Sequence, residues 1–197
     1  MELTFNELID FFIVNKAGIV NDFLDQTLAA HLKANLQALY AGKRLGLAGK
    51  SKLTHNTLVR SDVIYWLDRT HQDPHKAIFF DLMDKFISYL NEICYTGITS
   101  YEFHYNMYEP GSFYKKHIDQ FKDNDSRKFS MIIYLNENWQ PADGGELCVY
   151  HSDKPETIAP QGGKTVFFKS SELPHEVLIT HKPRMSITGW LKSDKRF

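Results

Sequence analysis

The chain carries three triplets of the form His-x-Asp: His71-x-Asp73, His117-x-Asp119 and His151-x-Asp153. An imidazole nitrogen and a carboxylate oxygen two residues apart can converge on one metal ion where the backbone is extended, because residues i and i+2 of a strand share a face. The pattern alone carries little weight, since 9 histidines and 14 aspartates in 197 residues give about 0.6 such triplets by chance. Context separates the three. Asp73 precedes Pro74 and an apolar helical pattern, so its carboxylate reads as a helix N-cap. His151 and Asp153 fall in a polar turn before Pro155, where a solvent-facing role is expected. His117 and Asp119 instead end the β-prone run from Phe113 to Ile118.

Two ligands hold a metal ion poorly, so a third must come from another strand. His175 is the best-placed candidate, in Leu173-Pro174-His175-Glu176 just ahead of the run Val177 to Ile179. Two imidazoles and one carboxylate are the facial set that suits non-haem Fe(II) and leaves three positions open; an accidental grouping is the alternative reading of these three residues alone. Nine residues beyond His175, Arg184 opens the run Arg184-Met185-Ser186-Ile187-Thr188-Gly189-Trp190. A planar guanidinium can take a carboxylate in two parallel hydrogen bonds. Arg184, Ser186, Thr188 and Trp190 share one strand face, and an inward face with hydroxyl neighbours argues against a surface ion pair.

Strands that aim such residues inward need support. Phe5, Leu8, Ile9 and Phe12 recur at helical spacing from Thr4 to about Asn15, with Thr4 and Glu7 placed as a capping box. Leu24, Leu28, Leu32, Leu36 and Leu39 mark a second helix from about Asp22 to Tyr40, stopped at Gly42. A third starts at Asp73-Pro74 and carries Ile78, Leu82, Phe86, Leu90 and Ile93. Residues 42–57 read as a mobile loop rich in Gly, Lys, Ser, Thr and Asn, and Leu58 to Leu67 as a strand. After Gly97, short β-prone runs follow at 101–108, 113–118, 129–135, 146–150, 156–159, 164–169, 176–179 and 184–191. The fold class expected is α+β, mainly β: a double-stranded β-helix, or jelly roll, with the N-terminal helices packed outside one sheet. One domain is expected over 1–197, with helical support to 96 and the jelly-roll core at 97–191.

Composition bounds the partners. With 23 basic and 24 acidic side chains, the chain lacks the positive charge that phosphate-backbone binding needs, so a nucleic-acid partner is disfavoured. No apolar stretch approaches a membrane span. Cys94 and Cys148 lack metal-site or disulfide-framework spacing, so both are expected reduced and buried, in the cytoplasm.

Taken together, Tyr108 to Asp119 (YEPGSFYKKHID), Met131 to Trp139 (MIIYLNENW), Gly144-Gly145-Glu146-Leu147, Phe167-Phe168 through Pro174-His175-Glu176-Val177, and Arg184 to Trp190 form an ordered series. In this series the chain resembles the prolyl hydroxylases of the type that act on hypoxia-inducible factor, and their bacterial relatives, from about Leu58 to Leu191. The resemblance implies that His117, Asp119 and His175 bind Fe(II), and that Arg184 and the Tyr134 hydroxyl hold the distal carboxylate of 2-oxoglutarate. Tyr108 would reach the co-substrate, while Ile132, Leu147 and Thr188 line its pocket. Trp190 would sit near a target proline, Arg60, Asp62 and Arg127 would serve substrate binding, and 42–57 would be the loop that closes over it. His104 departs from the resemblance, standing where a hydrophobic side chain is usual.

The implied activity consumes 2-oxoglutarate and O2, with ascorbate a candidate reductant, and hydroxylates a proline of a protein substrate. Bacterial relatives point to a translation factor. Two other readings stand beside it. One is a same-fold oxygenase acting on a nucleic-acid base or small metabolite; base demethylases of this fold carry a second arginine six residues after the first, where this chain has Trp190. The other is a non-enzymatic metal- or peptide-binding jelly roll, which would have no need of a co-substrate clamp.

Overall fold

The computed structural model describes residues 1–48, 59–120, 123–151 and 154–193. Three helices, α1 (Glu2–Asn15), α2 (Gln26–Ala41) and α3 (Pro74–Cys94), come from the first half of the chain. The carboxylate of Asp25 accepts from Leu28 N at 2.9 Å, and that of Asp73 from His75 N and Lys76 N at 2.9 and 3.2 Å. These side chains satisfy first-turn amides that have no partner inside the helix. The capping box expected at Thr4 and Glu7 does not form, because α1 starts earlier, with Met1 at its N-cap and no side-chain cap bond. α2 starts at Gln26 rather than Asp22, whose φ of 56° is incompatible with a right-handed helix. α3 buries Phe79, Phe80, Met83, Phe86, Ile87 and Leu90. Its face is therefore turned from the expected stripe, and Ile78 and Ile93 are exposed. No described helix is long and apolar enough to cross a membrane.

The strands are β1 (Ala17–Val20), β2 (Gly46–Leu47), β3 (Val63–Trp66), β4 (Ser100–Tyr108), β5 (Tyr114–His117), β6 (Arg127–Tyr134), β7 (Leu147–Tyr150), β8 (Pro155–Ile158), β9 (Thr165–Lys169), β10 (His175–Val177) and β11 (Arg184–Lys192). The eight runs expected after Gly97 become β4 to β11. β1 and β2 were not expected; β2 lies in the run expected as a loop over 42–57, of which 49–57 falls outside the described residues. The strand expected from Leu58 to Leu67 shrinks to β3, with Arg60 in an isolated bridge to Tyr114 and Leu58 outside the described residues. Cys148 is buried as expected, but Cys94 is only partly so; both are free.

Seven strands pair in the order β1-β9-β6-β11-β4-β3-β2, and four in the order β5-β10-β7-β8. Alternation along β4, β6 and β11 divides the large sheet into two faces. Phe103, Tyr105, Met107, Met131, Ile133, Ile187 and Leu191 pack with Leu8, Leu32 and Phe86 of the helices. Tyr108, Ile132 and Tyr134 turn the other way, onto Leu147, Val149 and Val177 of the small sheet. The result is the double-stranded β-helix with helices outside one sheet.

Gly189 lets β11 pass the ring of Phe103 on β4: a Cβ there would stand 2.1 Å from Phe103 Cδ1 and 2.5 Å from Glu102 O. Gly189→Ala is expected to destabilise the fold by about 1–3 kcal/mol through overpacking. Urea denaturation checks this as a lower midpoint at unchanged slope; an unchanged midpoint would show that the sheet yields freely.

Candidate active site

β5 and β10 are neighbours in the small sheet, and their register sets His117 directly opposite His175. Asp119 follows two residues after His117, and ligand atoms of the three side chains lie within 4.8 Å of one another. Asp119 Oδ1 is 3.5 Å from His117 Nε2, and Oδ2 is 3.6 Å from His175 Nε2. Each imidazole turns its other nitrogen to a backbone carbonyl: His117 Nδ1 to Lys115 O at 2.7 Å, His175 Nδ1 to Leu173 O at 2.9 Å. A carbonyl oxygen only accepts, so Nδ1 carries the proton of each neutral ring and Nε2 presents a lone pair. Two lone pairs and a carboxylate then face one another in a largely buried space. That arrangement suits a cation among them, and two nitrogens and an oxygen are a donor set that fits divalent iron.

Protonation follows the same geometry. Burial pushes the Asp119 carboxyl up, but His175, His117 and a hydrogen bond from Ser130 outweigh it and hold the group well below the usual carboxylate range. Burial, assisted by His117, pushes His175 down against the pull of Asp119. Both shifts favour the forms that bind metal.

Arg184 opens β11 opposite Tyr108. Its Nε donates to Gly145 O at 2.8 Å, while Nη2 is buried without a hydrogen-bond partner, as is the Tyr134 hydroxyl. The guanidinium carbon lies 5.0 Å from the ring centroids of both Tyr108 and Tyr134. Burial raises the Tyr134 pKa against the opposing effect of Arg184, which keeps the phenol a neutral donor. Unpaired buried donors are costly unless a ligand satisfies them; a carboxylate matches both.

A partly open cavity joins these groups: its wall includes the three candidate ligands, Arg184, Tyr108, Ile132, Leu147, Thr188 and Trp190. Tyr134, Asp62 and Arg127 stand behind that lining. Arg60 reaches the wall but already donates to Asp62 at 2.7 and 2.6 Å, and Asp62 also accepts from Asn106 at 2.7 Å. Arg127 lies 3.4 Å over the Trp190 ring and donates to Glu102. The wall and support residues that escaped the sequence reading include three polar or aromatic ones beside the candidate ligands and Asp62. Asn106 is one; Tyr114, whose ring stacks 3.6 Å from that of His117, is another. The third, Ser130, donates to Asp119, and its signal was a polar residue in phase with inward Ile132 and Tyr134.

Residues 103–192 match the model of the 2OG-Fe(II) oxygenase superfamily. The crystal structure of a Pseudomonas putida prolyl-4-hydroxylase superposes with a TM-score of 0.88 at 32% identity, covering 97% of this chain and 100% of that one. This chain belongs to the 2OG-Fe(II) oxygenase superfamily, on the side of the prolyl hydroxylases. A Trichoplax adhaerens prolyl hydroxylase, solved with a hypoxia-inducible factor oxygen degradation domain peptide fragment, gives a TM-score of 0.88 at 25% identity, covering 98% of this chain and 90% of that one. The hypoxia-inducible factor prolyl hydroxylase of Caenorhabditis elegans is 33% identical over 142 residues, which are 67% of this chain but only 20% of the worm protein.

In this member of the superfamily, His104 is a polar residue on the pocket wall. Its ring lies between Trp190, 5.3 Å away, and Trp66, 4.9 Å away, and Nδ1 has no partner. Burial above all, with Arg60 and Arg127, pushes its pKa from 6.5 down to about 3, against Asp62 and Asp119. The unfolded chain therefore takes up a proton below the ordinary histidine value that the folded chain refuses until about pH 3, so stability falls as pH falls through that window. Relative to His104→Met, the wild type is expected to lose about 1.4 kcal/mol more per pH unit across it. Urea denaturation at several pH values tests this; parallel curves for the two proteins would exclude a neutral, buried His104.

Proposed function

We propose that the chain is a prolyl hydroxylase that holds Fe(II) through His117, Asp119 and His175. The observation that carries this is the pairing, in one cavity, of a cation-demanding cluster with the unsatisfied Nη2 of Arg184. Arg184 and Tyr134 take the distal carboxylate of 2-oxoglutarate, Tyr108 packs beside it, and Ile132, Leu147 and Thr188 wall its carbon chain. Bound iron, 2-oxoglutarate and O2 together supply the oxidising power to place one oxygen atom in a C–H bond, with succinate and CO2 released. The protein's share is to leave three metal positions open, orient the co-substrate from its far end and keep water out.

A proline within a protein is the substrate that the relatives' names support, and hydroxylation at its 4-position is what the Pseudomonas putida neighbour's name supports. Trp190, on the cavity wall between Arg127 and His104, stands beside the place for a prolyl ring, with Arg60, Asp62 and Arg127 close by. A cytoplasmic translation factor is the first candidate, with ascorbate as reductant. Incubation of the protein with Fe(II), 2-oxoglutarate, air and dialysed cytosolic extract, followed by tandem mass spectrometry, is expected to reveal one dominant proline bearing an added oxygen. Succinate without any modified proline would move the substrate to another chemical class.

Asp119→Ala is expected to abolish succinate formation, and full turnover by that variant would refute the metal assignment. Tyr134→Phe deletes one hydrogen bond to a charged group, so the 2-oxoglutarate concentration for half-maximal rate should rise roughly 10-fold or more. Arg184→Ala should raise it further. An unchanged requirement in Tyr134→Phe would remove that hydroxyl from the clamp.

A further inference from the structure

We propose that Ser130, oriented by Ser170, is a positioning residue that selects which oxygen of Asp119 a metal ion receives. The inference rests on Asp119 being a metal ligand, as argued above. Both serines are 0% exposed. Ser130 Oγ donates to Asp119 Oδ2 at 2.6 Å, and it lies 2.9 Å from Ser170 Oγ. A hydroxyl has one proton. Since the proton of Ser130 goes to the carboxylate, which can only accept, Ser170 is the donor in the second contact, and the relay runs from Ser170 through Ser130 to Asp119.

The backbone closes this relay into a ring. Gln120, the residue after Asp119, donates its N–H to Ser170 O at 3.1 Å, and Ser170 N donates to Lys128 O at 3.0 Å on the strand that carries Ser130. Ser130 itself is registered between Phe168 of β9 and Trp190 of β11, inside the large sheet. The hydroxyl therefore has a fixed origin and a fixed target. Oδ2, 3.6 Å from His175 Nε2, gives a lone pair to Ser130, so Oδ1, 3.5 Å from His117 Nε2, is the oxygen with both lone pairs left for a metal ion. A carboxylate binding through one oxygen takes one coordination position. Two imidazoles and one such oxygen leave three of six positions open, which is the number that a two-point co-substrate and O2 require.

Removing an outer hydrogen bond to a metal ligand typically weakens metal binding about 10–100-fold, so Mn(II) titrated calorimetrically into metal-free protein reads the effect without turnover. Ser130→Ala is expected to weaken Mn(II) binding by about that factor, and Ser170→Ala by less. Because Ser170 acts only through Ser130, the double variant should bind no more weakly than Ser130→Ala alone. Thermal melting of each metal-free protein separates loss of fold from loss of ligand alignment. Binding by Ser130→Ala within twofold of wild type, or a double variant whose loss is the product of the two single losses, overturns the relay. Asp119→Ala is the reference: its failure to weaken Mn(II) binding would overturn the metal assignment itself rather than the role of Ser130.

Discussion

The carboxylate of Asp119, facing the lone pairs of two imidazoles in a largely buried space, is the constraint on which the rest of the structure depends. Three electron-pair donors meet at one point only where the fold holds them there. Here Lys115 O and Leu173 O hold the far nitrogens of the rings and Ser130 holds the carboxylate. A cation that binds among them finds its ligands already gathered, and the folding free energy that fixes them becomes affinity. A barrel packed on both faces of its large sheet supplies the stiffness. The two apolar clusters, one against the helices and one between the sheets, meet along β4, β6 and β9.

Residue parity links that stiffness to chemistry. On β4 and β11 the inward residues Asn106 with Ser186, and His104 with Thr188, pair across the strands, and they lay a polar band across a sheet otherwise apolar on both sides. A fold selected for stability alone would fill that band with aliphatic side chains. Part of the band is internally satisfied: Asp62 accepts from Arg60 and Asn106. Arg184 Nη2, Tyr134 Oη, His104 Nδ1 and Trp190 Nε1 are left without partners. Unsatisfied buried groups gathered in one region mark where local stability has been given up for binding.

This division also explains what could be read in the sequence. The run at 184–191 was legible because apolar Met185, Ile187 and Leu191 alternate with the inward set, and alternation is the direct imprint of a two-faced strand. His117, Asp119, His175 and Arg184 were legible because their types are scarce at inward strand positions. β1 was not, since Ala17-Gly18-Ile19-Val20 is too short to show a period and owes its strand to pairing with β9. The buried face of α3 was misjudged by one position because Ile78 and Phe79, or Leu82 and Met83, are equally apolar neighbours. Only packing against the sheet chooses between them. The roles of Ser130 and Ser170 depend on a contact across 40 residues, for which no local pattern exists.

Charge pairing around the pocket completes the account. Arg60 is bound to Asp62, and Arg127 to Glu102 and the Trp190 face. An anionic ligand would have to compete with these ion pairs for either guanidinium. Arg184, on the same cavity wall, keeps a buried nitrogen without a hydrogen-bond partner. On the proposed reading, a dicarboxylate in this cavity meets one strong anchor at the Tyr108 end of β4, and the histidine cluster on the same wall receives its other end. The stack of Arg127, Trp190, His104 and Trp66 forms another wall and ends at Trp66, which is 47% exposed. Aromatic faces that run from the cavity to solvent suit a neutral, ring-bearing segment of a protein. On the reading proposed above, the anion and the peptide take separate approaches to one metal position.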